Sequence, residues 1–108
     1  MTTFDATIGA SVQQATVNFS SSGDNIVIIG VVGARIKVLQ FFAVFAAATV
    51  ITYKSGTTPI SGPLVFPAAS AQVQDFIQLP LTCNVGDAFV INSSAAVQIG
   101  GTIWYIFQ

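Results

Sequence analysis

Between Gly33 and Gly56 the chain opens on strict alternation, with Arg35 and Lys37 on one side and Ile36 and Val38 on the other. A period of two marks a strand with one wet face and one dry face. The polar side vanishes from Leu39 to Val44, which predicts that both faces are covered there. After the small residues Ala46 to Ala48, alternation resumes over Thr49 to Lys54, with Val50 and Thr52 facing one way and Ile51 and Tyr53 the other. The stretch predicts two central strands of a β-sandwich, joined by a tight alanine-rich corner.

Upstream, Phe4, Ile8 and Val12 fall four apart, as on one face of a helical turn or two, but the intervening Thr, Gly and Ser residues disfavour an isolated helix. Residues 1–14 are read as an N-terminal arm, which either frays or docks Phe4 and Ile8 onto a neighbouring subunit. Residues 15–108 are read as a single β-sandwich domain. Ala15 to Ser20 alternates with Val17 and Phe19 inward, and Ser20 to Asp24 is a turn cluster. Asn25 to Val32 is a continuous apolar run, expected as a strand buried on both sides, with Gly30 at a bulge or a close backbone approach.

Two glycines and two prolines make Ser55 to Pro63 a loop with at most an edge segment, and Leu64 to Phe66 is expected to pair briefly before Pro67. Val73 to Leu79 reads as a strand with mixed faces. Asn84 to Asp87 is a turn, and the strand after it places Phe89 and Ile91 on one face. The last strand, Val97 to Phe107, carries Gly100-Gly101 as an expected bulge, with Ile103, Tyr105 and Phe107 facing one side and Trp104 and Ile106 the other. About eight strands at short spacing predict an all-β, antiparallel two-sheet sandwich of jelly-roll type.

Composition changes the picture in one respect. Hydrophobic residues make up 53% of the 108 residues and charged ones 6%, against roughly a quarter charged in an ordinary soluble domain. Monomers rarely leave large apolar patches in water, so much of this surface is expected to be covered by other copies or by a larger assembly. Net charge is −1, with three cations. Three cations cannot build the basic stripe that nucleic acid requires. The uncharged run between Lys37 and Lys54 is shorter than the ~20 residues of a helical membrane span, and its β-branched content favours strands. Met1 to Asp5 lacks a basic n-region, so a soluble, unprocessed chain is expected, with no membrane partner.

Chemistry-bearing residues are scarce. The chain has no His and no Glu, which removes the commonest general base, the usual zinc ligand sets and any Ser-His-Asp or Cys-His arrangement. Asp24 and Asp87 stand in turns, where bonding to local backbone is the usual occupation. Cys83 reads as a small buried hydrophobe. The chain is therefore expected not to be an enzyme and to take no cofactor or metal. Arg35 and Lys37 read as a solvated pair. Of the adjacent Phe41 and Phe42, which point to opposite faces, one is available for an interface. Together with Phe45, Trp104 and the arm residues Phe4 and Ile8, Phe42 completes the candidate interface set.

Two segments carry a family resemblance. Gly33-Ala-Arg-Ile-Lys-Val-Leu39, followed by Val50-Ile-Thr-Tyr-Lys-Ser-Gly-Thr-Thr-Pro-Ile-Ser-Gly-Pro-Leu64, resembles the "GKRIRVL…VTFKSGTT…LTGA.PL" pattern of small β-sandwich modules in tailed-phage and prophage structural proteins. The stretch from Val85 to Tyr105 is similar to the "GEALNLNLSAAVAVGGTLTY" end of that pattern, whereas residues 66–80 lack its Tyr-Asn-Pro…Gly-Trp-Phe segment. The resemblance implies a virion protein without catalytic residues. It points first to a head decoration or cement protein: a homotrimer made in the host cytoplasm, sitting on the outer surface of the capsid and binding the major capsid protein between capsomers. It points second to a receptor- or glycan-binding module of a tail fibre or spike, recognising its target through loops 55–71 or 92–96.

Overall fold

The computed structural model describes residues 12–75 and 80–108. Among them are ten strands and no helix: β1 Gln13–Phe19, β2 Gly23–Ile28, β3 Ile36–Phe45, β4 Thr49–Ser55, β5 Thr58–Pro59, β6 Leu64–Phe66, β7 Ser70–Asp75, β8 Leu81–Thr82, β9 Phe89–Ser93 and β10 Ile99–Phe107. All pairings are antiparallel. Sheet A runs β1-β10-β3-β7, with β8 also on β3. Sheet B runs β2-β9-β4-β5, with β6 also on β4. The short strands β5 and β6 share one flank of β4, and β7 and β8 one flank of β3. Counted as interrupted strands, these leave four positions in each sheet, with the chain passing back and forth between the sheets. That is a jelly roll. Gly62 and Pro63 separate β5 from β6, and Pro80 stands directly before β8, because proline has no N–H to give a ladder.

The alanine corner is where expected. Ala46 to Ala48 carries the chain from β3, inside sheet A, to β4, inside sheet B. The core between the sheets is built from alternate residues of both: Ile36, Val38, Phe41, Ala43 and Phe45 of β3 meet Ile51 and Tyr53 of β4 and Phe89 and Ile91 of β9, with Ile99, Ile103 and Tyr105 from β10. Phe41 packs edge-on against Tyr53, with ring centroids 5.2 Å apart. The Tyr53 hydroxyl donates to Gln72 Oε1 of β7 at 2.9 Å, tying the two sheets together. Truncating a ring of this kind to alanine removes about 3–5 kcal/mol.

Within β3 the inward positions change from even (Ile36, Val38) to odd (Phe41, Ala43, Phe45). The cause is a bulge. Trp104 of β10 pairs with Gln40 while Tyr105 pairs with Val38, so Leu39 is an extra residue. This corrects the expected bulge at Gly100-Gly101, which lies in unbroken register with both β1 and β3. Gly101 is required for a different reason: a Cβ there would run into the backbone of Phe42 and Ala43 on β3.

A second correction concerns residues 25–32, read as a strand buried on both faces. The strand ends at Ile28, and β2 is an edge strand of sheet B. Only Ile28 of the run is buried, whereas Ile26, Ile29, Val31 and Val32 are exposed. A second bulge, at Val27, interrupts the pairing of β2 with β9. The close approach expected at Gly30 is present, for a Cβ there would strike the backbone of Gly86 to Ala88. β1 starts at Gln13, two residues before the boundary expected at Ala15.

Candidate interaction surface

The register of sheet A places its outward residues in rows across the strands. One row is Asn18, Gly100, Val44 and Ala71, and the next is Thr16, Thr102, Phe42 and Val73. A third joins Gln14, Trp104 and Gln40. The first two rows contain no charge. On their β3 and β7 half they expose Phe42 at 41%, Val44 at 46% and Val73 at 64% of their full surface, with Ala71 exposed beside them. The expectation that both faces of Leu39 to Val44 would be covered is thereby corrected. Among the described residues of this outer side, only Leu39 and, across on β10, Ile106 are buried, at one end. The apolar half also borders β7, which ends the sheet's strand order, and an uncovered sheet edge is a template for another chain.

The candidate interface residues separate on this frame. Phe42 stands in the middle of the exposed apolar half, and Trp104 lies half-buried one row away. Phe45 is withdrawn from the set. The bulge at Leu39 turns it inward, where it is buried against Phe66 at a centroid distance of 4.3 Å. Phe4 and Ile8 lie outside the described residues. Val44, Val73 and Ala71 were missed. The clue available was a change of phase, since outward polar residues sit at odd positions through Lys37 and at an even one at Gln40. Such a change signals one inserted residue and moves Val44 to the outside together with Phe42.

Sheet B presents a different outer side. Asp24 of β2, Asn92 of β9 and Thr52 of β4 lie in one row, with Lys54 one step along β4. Lys54 Nζ donates to Asp24 at 2.9 Å and Asn92 Nδ2 donates to the same carboxylate at 2.7 Å. Asp24 was expected to bond to local backbone, but instead it bridges three strands. The hydrogen bond from Asn92, then the one from Lys54, holds its carboxyl below the ordinary aspartate value. Asp87 likewise accepts from the buried Ser55 Oγ at 2.8 Å, and Ser55 Oγ in turn accepts from the Asn84 N–H at 2.9 Å.

Cys83 is buried as expected, and burial pushes its thiol up to about 11, so at neutral pH it is protonated and unreactive. Burial also raises the Tyr53 phenol. Among the described residues no three His, Cys, Asp or Glu side chains converge on a metal position, and no helix is long and apolar enough to cross a membrane. What the arrangement offers is a surface for contact. No family model, curated protein or solved structure matches the chain.

Proposed function

We propose that this protein is a non-enzymatic structural protein of a phage virion, a decoration or cement protein that assembles as a homotrimer on the outer surface of the head and binds the major capsid protein between capsomers. The observation that carries this reading is the uncharged half of sheet A's outer side, where Phe42, Val44, Val73 and Ala71 stand together in water beside a sheet edge. Burying the part of each large residue that is still exposed is worth on the order of 1 kcal/mol, and no ion has to be desolvated in the first two rows. The resemblance of residues 33–39, 50–64 and 85–105 to phage modules supplies the setting. The double-sheet jelly roll recurs in viral capsid domains, an association at the level of fold.

Lectins share that architecture, and one observation favours the second reading, a receptor- or glycan-binding fibre module. Trp104 stands half-buried in a row with the amides of Gln14 and Gln40, a grouping that suits a sugar ring. Sedimentation velocity over a wide concentration range, followed by co-sedimentation with undecorated heads from the same genome, separates the two. The first reading expects a trimer that persists on dilution and saturable binding to heads. A monomer at high concentration that ignores heads overturns it. Saturable glycan binding lost on Trp104→Ala, with no affinity for heads, establishes the second reading instead.

A further inference from the structure

A separate apolar cluster sits at one end of the sandwich. The loop after β2 exposes Ile29 at 78% and Val32 at 97%, with Val31 also exposed between them. The turn before β9 adds the exposed Val85. These two loops are more than fifty positions apart in sequence, and backbone contacts hold them together. Gly86 N–H donates to the Ala34 carbonyl at 2.8 Å, and Ala34 N–H donates to Val31 at 3.1 Å. Gly30 lies so close to the Gly86–Ala88 backbone that no side chain fits between them. The cluster is a braced knob. Its exposed side chains are β-branched and stiff, so little freedom is lost when they are gripped.

We infer that this knob is the end that plugs into an apolar socket on the head protein, while the outer side of sheet A joins the copies to one another; this assignment rests on the decoration reading above. Three features select a repeated, folded protein partner. First, the knob presents four exposed side chains, well short of the roughly 20–30 residues a side in a standard stable interface. One knob therefore binds weakly, and several carried by one oligomer bind firmly only to a surface that repeats its socket. Second, the knob lacks the aromatic residues and clustered cations of segments that lodge in a bilayer interface. Third, its neighbouring charges are unequal: Arg35 is exposed three residues from Val32, while the Asp87 carboxylate is engaged by Ser55. That pattern fits a socket whose rim is neutral or acidic.

The test uses the full chain with Ile29→Thr and Val32→Thr together, and separately Arg35→Glu. Threonine keeps the β-branch, and both positions are exposed, so circular dichroism and sedimentation should match the parent. The double variant is expected to bind undecorated heads at least about tenfold more weakly, with the oligomer unchanged, and Arg35→Glu is expected to weaken binding less. Parent-like head binding by the double variant overturns the knob assignment and leaves the decoration reading standing. Dissociation of the double variant into monomers also overturns it, by placing the knob between copies. Flotation of the parent with phosphatidylcholine–phosphatidylglycerol vesicles, lost in the double variant, overturns it in favour of a bilayer. Failure of the parent itself to bind heads removes the decoration reading and this assignment with it.

Discussion

On the outside of sheet B, the Asp24 carboxylate takes hydrogen bonds from Asn92 and Lys54 and stitches three strands together. On the outside of sheet A, the corresponding middle of the sheet holds Thr102, Phe42 and Val73 in one row, with nothing ionic in it. Both sides belong to one small sandwich and enclose the same core. Sheet B satisfies its exterior with its own side chains, and its exposed aliphatics, Ile26 and Val65, lie on strands at its two flanks, β2 and β6. Scattered aliphatics of that kind are normal on any protein. Sheet A leaves its aliphatics adjacent to one another and next to an edge. The contrast teaches that a low charge content is informative chiefly through where the charges are missing. Four of the charged residues cluster on or beside sheet B or its end loops, and the bare region is confined to one half of one sheet.

The difference between the sheets can be attacked at several points. The largest effect is expected from Gly101→Ala. Its new methyl would press on the β3 backbone at Phe42 and Ala43, forcing apart the central pair of sheet A and displacing the residue at the centre of the bare region. The denaturation midpoint should fall by the equivalent of about 2–3 kcal/mol. An unchanged midpoint would mean that β3 and β10 separate without penalty. Next, Phe42→Asp should weaken self-association by about a hundredfold with little change in stability, because the ring is already partly in water. Val65→Asp on sheet B is the matched control and should leave association as it is. Equal effects of the two substitutions would abolish the distinction between the sheets.

Titration gives smaller and opposite signals. Burial raises the Cys83 thiol from 9.0 to about 11 in the folded chain, so the unfolded chain loses its proton first. The corresponding stability is complete below about pH 9 and disappears as pH climbs through about 11, a change on the order of 1–2 kcal/mol. It reads the core common to both sheets, and Cys83→Ala should remove the part that begins near pH 9, leaving the loss that the buried Tyr53 phenol adds above about pH 10. Asp24 behaves in the reverse sense. Its folded value lies below 3.8, so its contribution is present above about pH 4 and is lost as pH falls through the folded value. The carboxylate is well exposed, which keeps this below about 1 kcal/mol. Asp24→Asn should remove the acid response of sheet B while leaving oligomer formation untouched, as followed by denaturation at pH 3 and pH 6.

Much of the architecture was legible as alternation. Ile36 and Val38 against Lys37, Ile51 and Tyr53 against Thr52, Phe89 and Ile91 against Val90, and Ile103, Tyr105 and Phe107 against Trp104 all keep the faces read from period two. The alanine corner and the turn at Asn84 to Asp87 followed from small and turn-forming residues. The failures share one origin. Periodicity reports that neighbouring residues face opposite ways, but not which side another layer covers. Nor does it reveal an extra residue that shifts the phase, as Leu39 does.

Local chemistry was thus enough to determine that this chain forms strands and where most of them turn. Tertiary structure alone decided that Phe45 is core while Phe42 is surface, that the run from Ile26 to Val32 lies at an edge and a loop, and that the loops carrying Val32 and Val85 are joined through the Gly86–Ala34 hydrogen bond. The reason is physical: strand formation depends on a residue's immediate neighbours, whereas burial depends on bulges and on which distant strand lies across the sheet.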